Sequence, residues 1–108
     1  MRFKEKNKSP ILDILETAYQ KYNKREKITY EEYVIMLTSN DEIWFWYDDT
    51  EYQVSYAVPN MVTMNATKYE GTQKISEHSE DYRSIIDMLE NFRIDGKPIR
   101  DIWSEVSF

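Results

Sequence analysis

Glu42-Ile43-Trp44-Phe45-Trp46-Tyr47-Asp48-Asp49-Thr50-Glu51-Tyr52-Gln53-Val54 is the stretch on which the fold turns. Ile43, Phe45 and Tyr47 alternate with Trp44 and Trp46, and a period of two places the two sets on opposite faces of a strand. Aromatic and β-branched residues suit a pleated, half-buried surface. Asp48-Asp49-Thr50-Glu51 reads as a polar turn, after which Tyr52, Val54, Tyr56 and Val58 resume the alternation. The unit predicted is a β-hairpin.

Working outward, Pro59-Asn60 breaks the run, and Val62, Met64 and Ala66 predict a third strand. A weaker fourth is expected around Gln73 to Ser76, after a turn at Glu70-Gly71. These segments make an antiparallel meander of three to four strands. Upstream, Ser9-Pro10 is a helix start, and Ile11, Ile14, Leu15, Ala18 and Tyr22 share one helical face, predicting a helix over 10–22. Thr29 and Glu32 form a T-x-x-E capping box before Tyr30, Tyr33, Val34 and Leu37, which predicts a second helix ending near Ser39-Asn40. Downstream, Ser79 before Glu80-Asp81 reads as a helix cap, with Tyr82, Ile85, Ile86 and Leu89 as the buried stripe. Asp95-Gly96-Lys97-Pro98 is a tight stop, and Ile99, Ile102, Trp103 and Val106 predict a short last helix that docks its tryptophan on the core. The fold class expected is α+β: N-terminal helices, the meander and C-terminal helices in two layers. Residues 1–108 form one domain, with 1–8 a flexible basic N-terminus.

A chain of 108 residues is long enough to bury roughly 65% of the surface it would expose unfolded. Hydrophobic residues make up 41% and aromatics 15%, too much apolar material for a disordered chain. The net charge of −6 is unevenly spread: residues 1–27 hold 8 Lys+Arg against 4 Asp+Glu, leaving 6 against 16 for residues 28–108. So acidic a body repels phosphates, so no direct nucleic-acid binding is expected, and a protein with a basic surface is the natural partner. With no cysteine, disulfides, thiolate metal sites and cysteine nucleophiles are excluded, and a reducing cytoplasm is the expected location. Apolar runs such as Ile43 to Tyr47 fall far short of the ~20 residues that span a bilayer, and Met1 to Ser9 does not read as a secretion signal. No membrane role is expected.

Catalytic signals are weak. General acid–base work at neutral pH draws on histidine, and the one histidine, His78, stands among Glu77 and Glu80 before the expected helix start, where a solvated loop position is the simpler reading. No nucleophile elbow accompanies it, and two glycines leave little for a phosphate-cradling loop. Asp48-Asp49-Thr50-Glu51 carries hard-cation ligands without the spacing or glycine of an EF-hand. No catalytic residue, cofactor or metal ligand is assigned, and the chain is expected not to be an enzyme.

The interaction candidates are Trp44, Trp46, Asp48, Asp49 and Glu51. The two tryptophans point away from Phe45, toward a face where Gln53, Ser55 and Ala57 are expected opposite them. Either the N-terminal helix covers that face and makes them a second core layer, or they form an exposed aromatic patch of the kind that anchors protein interfaces. The acidic stretches Asp41-Glu42, Asp48 to Glu51 and Glu77 to Asp81 lie at expected element ends, where charge is ordinarily only solvated; their alternative role is a negative face that steers a basic partner.

Beyond this, Glu42 to Tyr47, Tyr52-Gln53-Val54 and Met88-Leu89-Glu90-Asn91-Phe92-Arg93-Ile94-Asp95-Gly96-Lys97-Pro98-Ile99-Arg100-Asp101-Ile102-Trp103 resemble small α+β proteins of Gram-positive bacteria and their mobile elements. The resemblance covers about two thirds of the chain and leaves out the helical region before Asn40. It implies a β-meander followed by helices and a phage or mobile-element setting, and it brings no activity with it. Such proteins commonly carry a glycine in the first hairpin turn, where this chain has Asp48-Asp49-Thr50. The function expected is that of an acidic cytosolic binding or regulatory protein, with a small-ligand module using the tryptophan and tyrosine face, or a toxin-immunity protein, as alternatives.

Overall fold

The structure is a computed structural model that describes residues 10–108; the basic segment 1–8 and the Ser9 cap lie outside the described residues. Two helices, α1 (Pro10–Asn23) and α2 (Tyr30–Thr38), precede four strands: β1 (Trp44–Tyr47), β2 (Thr50–Ser55), β3 (Val62–Glu70) and β4 (Gln73–Tyr82). Two short helices, α3 (Ile85–Asn91) and α4 (Ile99–Ile102), follow, and a 3₁₀ turn at Trp103–Glu105 ends the regular structure. The sheet is antiparallel in the order β1-β2-β3-β4. This is the α+β meander with flanking helices that the sequence predicts.

The helices share one face of the sheet. Ile43, Phe45, Val54, Val62 and Met64 from that face join Ala18, Tyr33, Met36, Leu37, Met88, Ile99, Ile102 and Trp103 in a single buried cluster. Trp103 is its organiser: its indole N–H donates to the Ile28 carbonyl at 2.8 Å, and its ring lies 4.7 Å from Tyr33 and 5.5 Å, edge-on, from Phe45. Burying a tryptophan is favourable only if its N–H keeps a partner, and the loop carbonyl supplies one. The Tyr33 hydroxyl, by contrast, is buried without a hydrogen-bond partner among the described residues, and burial pushes its pKa far up.

The capping box is realised at α2, where Glu32 N–H donates to Thr29 Oγ1 at 3.0 Å and Thr29 N–H donates to Glu32 Oε1 at 2.7 Å. The stop after α3 is also as expected. Asp95 (φ 52) and Gly96 (φ 77) occupy two successive left-handed positions in a tight turn closed by the Ile94–Lys97 bridge.

Five expectations are corrected. The fourth strand does not stop near Ser76 but runs to Tyr82, because Val62–Glu70 is a long strand that pairs along its whole length, from Val62↔Tyr82 to Glu70↔Gln73. Ser79, Glu80 and Asp81 are therefore strand residues and not a helix start. The cap is Ser84, whose side chain accepts from Asp87 N–H at 3.0 Å while Asp87 accepts from Arg83 N–H. Ile14 and Ile86, expected on buried stripes, are exposed, and Met88 takes the buried place on α3. Finally, the first turn is only Asp48-Asp49, with Asp48 left-handed at φ 54, so Thr50 and Glu51 pair with Tyr47 and Trp46 as part of β2. Ala57 lies beyond the end of β2, and Glu51 and Gln53 are the residues opposite the tryptophans.

Candidate functional site

The register lays out the second, open face of the sheet in rows. Trp44 is followed across the strands by Gln53, Asn65 and Ser79, and Trp46 by Glu51, Thr67 and Glu77. Polar side chains tie this face together: Ser79 Oγ donates to Asn65 Oδ1 at 2.7 Å, Asn65 Nδ2 donates to Ser55 Oγ at 3.2 Å, and Thr63 Oγ1 donates to Asp81 Oδ1 at 2.7 Å. The apolar material is concentrated at the β1 end. There Trp46 packs against Tyr69 with ring centroids 5.4 Å apart.

The outer edge of β1 is closed from two sides. Trp46 exchanges both backbone hydrogen bonds with Ser107, at 2.8 and 2.9 Å, while Trp44 N–H donates to the Tyr22 hydroxyl at 3.2 Å. The last turn of α1 and the C-terminal segment thus converge on the tryptophans. The result is an open concavity of about 500 Å³ lined by Tyr22, Arg25, Trp44, Trp46, Glu51 and Phe108. Tyr22 stands edge-on to Trp44 at 5.8 Å and to Phe108 at 6.0 Å. Burial pushes the Tyr22 hydroxyl pKa upward against the Trp44 N–H, and the nearby Glu51 charge adds to the rise.

Neither expectation for the tryptophan face holds in full. Helix α1 does not cover it, since Trp44 keeps 42% of its surface exposed; nor is the face a flat patch, because Tyr22 and Phe108 wall it. Of the five interaction candidates, Trp44, Trp46 and Glu51 come together here. Asp48 and Asp49 line a separate, more polar concavity of about 600 Å³ with Tyr47, Tyr52, Lys68 and Asp95, where Asp49 lies 3.9 Å from Lys68. Tyr22, Arg25 and Phe108 were not readable as site residues, because only the docking of two distant segments on β1 brings them in.

His78 lies on exposed β4 with Nε2 3.2 Å from Glu80 Oε2, and not in the loop expected for it. Among the described residues no group of three or more His, Asp or Glu is placed to hold a metal ion, and no helix is long and apolar enough to cross a membrane. No family model, curated protein or solved structure matches this chain.

Proposed function

We propose that this is a non-enzymatic, cytosolic binding protein, from a phage or mobile element, that regulates or blocks a partner with a basic surface. The observation that carries the reading is the meeting of Trp44, Trp46 and Glu51 on the face of the sheet that no helix among the described residues covers. Partly exposed tryptophans in a walled concavity are the anchors that dominate protein interfaces, and a carboxylate beside them selects for positive charge. The same face carries Glu77 and Asp81. An acidic body steers a basic partner into contact and speeds association. Mimicry of nucleic-acid charge and neutralisation of a toxin are two forms of this activity.

The test is capture of a partner from lysate over a salt series, followed by its identification. A basic partner whose affinity falls as salt rises supports the reading; a captured partner that is acidic, or insensitive to salt, sinks it. A second reading, a small-ligand module, draws on the size of the concavity, about 500 Å³, which lies within the range of ligand pockets. It predicts saturable binding of an uncharged aromatic or heterocyclic ligand with no dependence on Glu51.

A further inference from the structure

We infer that the concavity receives the guanidinium of an arginine side chain, stacked against Trp44 or Trp46 and paired with Glu51. This rests on the protein-binding reading above and names the chemistry that the partner presents.

Glu51 is the first reason. It is half-buried among aromatic rings, yet among the described residues it forms no ion pair and no side-chain hydrogen bond. Three other carboxylates on the sheet and its first turn have a nitrogen partner: Asp49 lies 3.9 Å from Lys68, Glu77 pairs with Lys74, and Glu80 Oε2 is 3.2 Å from His78 Nε2. A carboxylate removed in part from water without a direct ion-pair partner has acceptor capacity to spare, and a cation arriving from a partner fills it.

The rings are the second reason. Trp46 and Glu51 are direct cross-strand partners on the open face, so their side chains stand side by side, with Cβ atoms about 5 Å apart. Indole faces attract cations, and arginine is the better occupant than lysine because its guanidinium is planar, weakly hydrated and able to stack while forking onto a carboxylate. An open space of about 500 Å³ admits that plane together with its aliphatic stem.

Arg25 gives the inference a sign that can be checked. It also lines the concavity, exposed, on the turn where the chain leaves α1 at φ 59, and it forms no ion pair with Glu51. Its charge opposes an incoming cation and would favour an incoming anion. Neutralising Arg25 therefore strengthens binding of arginine, whereas neutralising Glu51 weakens it.

The experiment follows the indole N–H resonances of the full chain while N-acetyl-arginine methylamide is added, with the uncharged citrulline analogue and the lysine and glutamate analogues as comparators. The Trp44 and Trp46 signals should move saturably, with buried Trp103 as the unmoved reference. Citrulline should bind about tenfold more weakly, as should arginine to Glu51→Gln, while Arg25→Gln should tighten arginine about two- to threefold. Citrulline or lysine equal to arginine, a preference for glutamate, no movement of either signal, or no effect of Glu51→Gln overturns the inference. Capture of the partner separates the two levels. If Glu51→Gln leaves capture unchanged while salt still abolishes it, the guanidinium site fails and the protein-binding reading stands; if arginine binds as described and the captured partner is acidic, the reverse holds.

Discussion

Phe45 and Trp46 are neighbours in the chain and opposites in the fold. Phe45 is fully buried against Tyr33, Tyr52 and Trp103. Trp46 lies on the face that the helices leave open, beside Glu51 and Tyr69. The same contrast holds between Trp103, 7% exposed, and Trp44, 42% exposed. One face of the sheet spends its aromatics on packing; the other keeps them available, bordered by carboxylates and hydroxyls. Aromatic content alone therefore says little about stability, because what counts is how much surface each ring removes from water.

The largest effect should separate the faces outright. Trp103→Ala should destabilise the fold by about 3–5 kcal/mol, since it empties the centre of the cluster and leaves the Ile28 carbonyl without its donor. Trp44→Ala should cost under about 1 kcal/mol, though it should weaken partner capture strongly. Urea denaturation of the two variants makes the comparison, and equal losses would abolish the distinction between a structural and an available tryptophan.

A smaller change tests the edge of the closed layer. Thr29→Ala removes the acceptor at the start of α2 and should lower stability by about 1 kcal/mol without altering capture; a loss of capture would mean that the closed layer shapes the open face. Acid should act on the same joint. Burial raises the Glu32 carboxyl pKa, but the Thr29 N–H and Lys21, 3.0 Å away, outweigh it and hold the value below the ordinary 4.5. A folded-state pKa depressed in this way gives stabilisation that is complete above the unfolded value and is lost as pH falls through the folded one. Urea midpoints should therefore drop between about pH 5 and 3, and part of that drop should vanish in Glu32→Gln.

The smallest effect concerns the unpartnered hydroxyl. Tyr33→Phe deletes a buried group that has no hydrogen-bond partner among the described residues, so stability should stay level or rise by up to about 1 kcal/mol. A clear loss would show that the hydroxyl is satisfied in solution, and that the closed face is wetter than its packing indicates.

The open edge of the sheet shows where sequence reading stops. β4 is exposed along nearly its whole length, so Glu77, Ser79 and Asp81 carry no apolar alternation that would mark them as a strand. They read as a helix start because serine followed by acids is the usual cap pattern. Only pairing with β3 decides otherwise, and no property of residues 77–82 taken alone reports the length of their neighbour. The true cap, Ser84 with Asp87 three residues on, obeys the same rule but was not read from the sequence. Ile14 and Ile86 fail for a related reason: helical spacing marks a stripe, and the depth of docking decides which of its members meet the core.

What the sequence by itself determined is local. The capping box at Thr29, the turn at Asp95-Gly96, the alternation that sends Phe45 and Trp46 to opposite faces and the acidity of residues 28–108 all follow from side-chain chemistry within a few positions. What only the tertiary structure decided is the site. A turn shorter by two residues than its polarity implies brings Glu51 opposite Trp46, and docking of Tyr22 and Ser107-Phe108 on the edge of β1 walls the concavity. Register and docking are settled by long-range hydrogen bonds and shared burial, and these couple residues too far apart in the chain for any local pattern to record them.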